Sequence, residues 1–231
     1  MAAFVVAHGA WSSGWAWRKM RPLMRAAGHE LFTPSYTGLG ERQHLASRAV
    51  NLSLHIEDVV KAIEAEDLRD VVLIVHSFGG LVATGVADRA RDRVARIIYV
   101  DAFVPEDGQS MMDLLSPAGR EGMKAACAAA DGWRVPPRDM PPDTPQDDRV
   151  WAIPRRSAHP IAAFEEPLRL SGDPLPRRAY IYCQRADRDD RFGPFAALAR
   201  REGWPYAEID ASHNPHITAP NELCAVLQSL L

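Results

Sequence analysis

The chain has 231 residues and a formal net charge of −3 at pH 7, with 47% hydrophobic, 25% charged and 8% aromatic residues. These values fit one sizeable α/β domain with a full core, and they exclude bulk disorder, collagen-like repeats and coiled coil. The faintly acidic balance gives no electrostatic reason to bind nucleic acid or an anionic membrane, and three scattered cysteines are too few for a disulfide framework or a zinc cluster.

Short apolar runs recur along the chain at residues 4–7, 30–33, 71–75, 97–100, 180–183 and 207–209. Several are apolar at consecutive positions, the pattern of parallel strands covered on both faces. Between them lie amphipathic segments. Residues 15–27 read as a helix ending at Gly28. Residues 54–65 read as a helix with Ser53 as N-cap and Ile56, Val59, Val60 and Ile63 on one face. Residues 77–89 follow the third strand directly, and 220–231 form a last helix. This alternation predicts a mostly parallel, doubly wound sheet of about six strands.

One region breaks the rhythm. Residues 105–178 are rich in Pro, Asp, Arg and Ala, with short helices expected at 110–115, 118–130 and 161–170. Trp133, Trp151, Ile153 and Phe164 argue against disorder there. We read it as a cap inserted into a core formed by 1–104 and 179–231. No basic-then-apolar leader opens the sequence and no run of about 18 apolar residues occurs. A cytoplasmic protein with reduced thiols is expected, its oligomeric state open, with a homodimer as the candidate assembly.

The segment Val75-His76-Ser77-Phe78-Gly79-Gly80 joins an apolar strand to a helix. That is the setting of a nucleophile elbow, which holds a serine hydroxyl above the sheet with the helix N-terminus behind it. Gly79 stands where the turn crowds out a side chain, whereas Val75 occupies the position of the usual preceding glycine. The bland reading of Ser77 is a helix cap.

After the first strand, His8-Gly9-Ala10-Trp11 can aim the Ala10 N–H at the same point as the Phe78 N–H, making an oxyanion hole. The base is expected in the loop after the last strand, where His213 and His216 both qualify and His213 lies closer to the strand. His29, His44, His55 and His159 read as surface residues, and the His76 side chain is expected to leave the elbow in another direction. The acid is either Asp101, a lone carboxylate closing an apolar strand 24 residues after Ser77, or Asp187 in an arginine-rich loop. Asp101 is preferred, because a carboxylate there is costly unless paired.

Over nearly its whole length the sequence resembles the α/β-hydrolase superfamily, in the branch of plant methyl esterases, hydroxynitrile lyases and their bacterial relatives. The resemblance is carried by residues 4–11, Trp15 and Trp17, Thr37-Gly38-Leu39-Gly40-Glu41-Arg42, residues 76–80, Asp101-Ala102-Phe103-Val104-Pro105 and the surroundings of His213. It implies Ser77 as nucleophile, His213 as base and Ala10 and Phe78 as oxyanion donors. The plant branch carries its acid at a position that falls on Ala186, while part of the haloalkane dehalogenases carry it where Asp101 stands. The lyases have a threonine and a lysine where this chain has Gly9 and Asn214, which points to hydrolysis.

The expectation is therefore a serine hydrolase acting on a small apolar ester, or a lactone, aryl ester or carbamate ester. Trp11, Trp133, Trp151 and Phe164 are the candidate pocket residues, and no cofactor or metal is implied. The alternative is the same fold turned to non-hydrolytic chemistry or to small-ligand binding, hinted at by Val75.

Overall fold

Every apolar run singled out above is a strand in the computed structural model, which describes residues 1–185 and 190–231. In chain order, β1 (Ala3–Ala7) leads through a 3₁₀ turn (Gly14–Trp17) and α1 (Met20–Ala26) to β2 (Glu30–Phe32). Then come α2 (Leu52–Ala65), β3 (Val71–Ser77), α3 (Gly79–Arg89) and β4 (Val94–Ala102). The strands pair in parallel in the order β2-β1-β3-β4, and two later strands complete the six-stranded sheet. The chain leaves β1 toward one edge and β3 toward the other, so the crevice at this reversal opens at the carboxyl ends of β1 and β3.

Between Ala102 and Arg177 the chain adds nothing to that sheet. It forms α4 (Pro117–Ala129), β5 (Arg134–Val135), α5 (Gln146–Ala152), β6 (His159–Pro160) and α6 (Ala162–Glu165), with β5 and β6 paired antiparallel. The sheet resumes with β7 (Arg177–Cys183), α7 (Gly193–Arg201) and β8 (Tyr206–Ile209), and α8 (Pro215–Thr218) and α9 (Pro220–Ser229) follow.

Residues alternate between the two faces of the sheet. Val5, Ala7, Leu73, Val75, Ile97 and Tyr99 join α2, α3 and α7 in one core. Phe4, Val6, Ile74, Ile98 and Val100 join α1 and α9 in the other. Among the described residues no helix is long and apolar enough to cross a membrane.

Three predicted helices are corrected. The helix expected over 15–27 is split, because Pro22 has no N–H to donate back to residue 18; it is tolerated only in the first turn of a helix starting at Met20. α2 begins two residues early, capped by Asn51, whose side chain accepts from the Leu54 N–H. Ser53 instead gives both its N–H and its hydroxyl to the Glu166 carboxylate, at 2.8 and 2.7 Å. The helix expected over 161–170 stops at Glu165, because Pro167 forces Glu166 into an extended conformation.

The insertion is fastened to the core at several points. Besides Ser53–Glu166, the Trp11 indole donates to the Val135 carbonyl at 2.8 Å and Lys19 pairs with the buried Asp148 at 2.7 Å. The Gly40 N–H donates to Ser157 Oγ at 3.1 Å.

Candidate active site

Ser77 ends β3 with a φ of 56°, in the left-handed region. A non-glycine residue there costs about 1–3 kcal/mol, a strain retained where the surroundings over-determine the backbone. Phe78 follows as the N-cap of α3. A Cβ at Gly79 would lie 2.1 Å from the Ala7 carbonyl oxygen, which explains the glycine. Val75 is fully buried and pairs in register with Ala7 and Tyr99, so it is an ordinary strand residue. The sharp turn begins only at Ser77, and a glycine at 75 is not required.

The end of β1 runs hard against this turn. A Cβ on Gly9 would lie 2.7 Å from His76 Nδ1 and 3.2 Å from Ser77 Cβ. This close approach brings Ala10 beside Ser77, and both line one cavity of ≈ 330 Å³. The backbone N–H groups of Ala10 and Phe78 have no hydrogen-bond acceptor among the described residues.

The loop after β8 presents His213, whose Nε2 lies 3.0 Å from Ser77 Oγ and whose Nδ1 lies 2.7 Å from Asp101 Oδ2. A carboxylate only accepts, so Nδ1 carries the proton and Nε2 is left to accept from the serine hydroxyl. The Phe192 ring stacks on the imidazole at 4.8 Å and 7°, fixing its plane. Asp101 is 4% exposed and has a φ of 45°. Its second oxygen accepts from the Cys183 N–H at 3.4 Å.

Ser77, His213 and Asp101 thus form one chain of hydrogen bonds built from the ends of three strands. The alternative acid, Asp187, lies outside the described residues. His216, the other C-terminal histidine, stacks on Trp17 at 4.6 Å, and burial drives its pKa down to about 3.

Sequence reasoning missed His76. The side chain is buried, and its Nε2 lies 2.6 Å from the His213 carbonyl oxygen, so Nε2 must carry the hydrogen. Burial, then the neighbouring His213 and His216, hold its pKa well below the usual histidine value. The residue next to the elbow serine therefore anchors the backbone of the loop bearing His213. His76→Phe keeps the ring but strands that carbonyl, and should lower the unfolding free energy by about 1–3 kcal/mol. Urea denaturation of wild type and variant checks this, and equal midpoints would remove the anchor.

The aromatic residues divide. Trp11 lines the cavity, whereas Trp133, Trp151 and Phe164 do not. Phe164 is fully buried against Trp11, Phe78 and His159. Trp151 meets Trp15 edge-on and carries the Arg18 guanidinium 3.5 Å from its ring centre. Trp133 is flanked by Arg134. Each is occupied in packing. His55 and His159, expected on the surface, are fully buried as well, their rings 5.2 Å apart.

Comparison with known proteins adds a lineage. The chain matches the model of the alpha/beta hydrolase family over residues 4–226. It is 38% identical over 242 aligned residues to the carbendazim hydrolyzing esterase of Nocardioides sp. (strain SG-4G), covering 100% of both chains. It is 30% identical over 141 residues to methylesterase 2 of Arabidopsis thaliana, covering 56% of this chain and 48% of that one. Among solved structures, an extracellular alpha/beta-hydrolase from a Paenibacillus species has the same fold, with a TM-score of 0.86 at 24% identity over 100% of this chain and 99% of that one.

Proposed function

The chain belongs to the alpha/beta hydrolase family, and from that premise we propose that it is a serine-type carboxylic ester hydrolase acting on small, largely apolar esters. The observation that carries this reading is the pair of contacts at His213, 3.0 Å to a serine held in a left-handed turn and 2.7 Å to a buried carboxylate. An esterase and a methylesterase among its relatives support it.

In this reading Ser77 Oγ attacks the ester carbonyl carbon while His213 Nε2 takes the hydroxyl proton. The negative charge that develops on the carbonyl oxygen is met by the N–H groups of Ala10 and Phe78, reinforced by the N-terminus of α3. Collapse expels the alcohol, which receives the proton from His213, and leaves an acyl group on Ser77. Water then attacks the acyl carbon with His213 again as base, releasing the carboxylic acid and restoring the serine. Asp101 holds the Nδ1–H tautomer and balances the imidazolium formed in each step.

The test is treatment with a fluorophosphonate probe, followed by peptide mass spectrometry. Labelling is expected at Ser77 in the wild type and at a rate at least about 100-fold lower in His213→Ala. A folded protein that stays unlabelled at Ser77 would overturn the reading.

A further inference from the structure

The cavity that holds Ser77 and His213 has a wall of unexpected charge. Arg138, Arg156 and Arg191 all line it, with Asp139 the one lining carboxylate among the described residues, and Arg138 has an interaction of its own. In a chain of net charge −3 this local excess is not a by-product of general basicity. Arg156 is half-buried and donates to the Arg138 carbonyl. Burial pulls its pKa below the usual arginine value, and Asp139 only partly offsets that. Arg191 is half-buried too, sits next to Phe192, which stacks on His213, and has no ion pair among the described residues.

Guanidinium groups are expensive to desolvate without a counter-charge. Their planar fork of donors fits a carboxylate better than any neutral group does. A space of ≈ 330 Å³ takes a small molecule with one end at Ser77 and the other within reach of this wall.

We propose that the preferred substrates are small esters carrying a carboxylate at the end remote from the scissile bond, such as monoesters of dicarboxylic acids, with Arg191 and Arg156 binding that carboxylate. This rests on the ester hydrolase reading and departs from it in the substrate, which is anionic at the end remote from the ester rather than apolar throughout. The chemistry is unchanged: water is consumed, the ester C–O bond breaks, and a dicarboxylate and an alcohol leave.

The experiment compares kcat/KM, corrected for the uncatalysed rate, for the mono-4-nitrophenyl ester of glutaric acid and for 4-nitrophenyl butyrate. For the wild type a preference of about tenfold or more for the anionic ester is expected, falling toward unity as salt is raised to about 0.5 M. Arg191→Gln should reduce the ratio of the two kcat/KM values about tenfold, and Arg191→Lys, which keeps the charge, should retain most of it. A wild-type ratio at or below one, or a ratio unmoved by Arg191→Gln, overturns the proposal. Fluorophosphonate labelling of Ser77 is read on the same samples. Labelling with no anionic preference sinks only this inference, whereas an unlabelled, inactive protein sinks the esterase reading beneath it.

Discussion

Asp101→Asn is expected to lower kcat for ester hydrolysis by about 10⁴ while the protein stays folded. The substitution is unusually clean. Asparagine tolerates the left-handed backbone at residue 101 as well as aspartate does, so the φ of 45° costs nothing new. What changes is the partner of His213 Nδ1 at 2.7 Å. An amide presenting its NH₂ to that nitrogen selects the opposite tautomer, with the proton on Nε2, and Nε2 can then no longer accept from Ser77. Steady-state kinetics beside a denaturation curve checks the prediction. Asp187→Asn is the paired variant: a comparable collapse there, with Asp101→Asn nearly fully active, would transfer the acid to the other loop.

Below neutral pH, a steep loss of stability is expected. Five histidines are held neutral inside the fold by burial. The pKa of His8 is driven down to about 4 and those of His55 and His216 to about 3, while His76 and His159 are driven well below their usual value. In the unfolded chain each protonates near its ordinary 6.5, so between about 6.5 and 4 the unfolded state binds more protons and stability falls as pH falls. By pH 5.5 the unfolded chain takes up protons that these buried rings refuse, and five such groups together weigh heavily against a typical total stability of about 5–15 kcal/mol. Urea unfolding at pH 7.5 and 5.5 should show a large part of the unfolding free energy gone at the lower pH. His216→Phe, which keeps the stack on Trp17, should reduce the proton uptake on unfolding by about one. Equal stability at the two pH values would mean these rings are solvated or already charged.

What could be read from the sequence depended on how local the cause was. Strands buried on both faces are mostly apolar, so β3, whose first five residues are all apolar and buried, announces itself. Ser77 and Asp101 were legible for a related reason, each being a polar residue closing an apolar run. The cap of α2 was not, because Asn51 and Ser53 are both cap formers two residues apart. The choice was made by Glu166, 113 residues away, which claims Ser53. α5 carried the usual opening signals in Pro145, Asp147 and Asp148, hidden among prolines that read as breakers. The buried histidines were illegible for a stronger reason. His55 stacks on Tyr36 and His159 on Phe164, and nothing local in the sequence says that a ring will be covered by partners from elsewhere. The same holds for His76, whose partner is the backbone of residue 213.

Fastened through Trp11, Lys19, Gly40 and Ser53, the insertion meets the core at Val135, Asp148, Ser157 and Glu166, four places spread along its length. Lifting this segment as one piece would break all four contacts together. The segment's share of the cavity wall includes Met140, Pro141 and Pro142 beside Arg138 and Arg156. New tastes can be acquired there one residue at a time, leaving the beams beneath untouched.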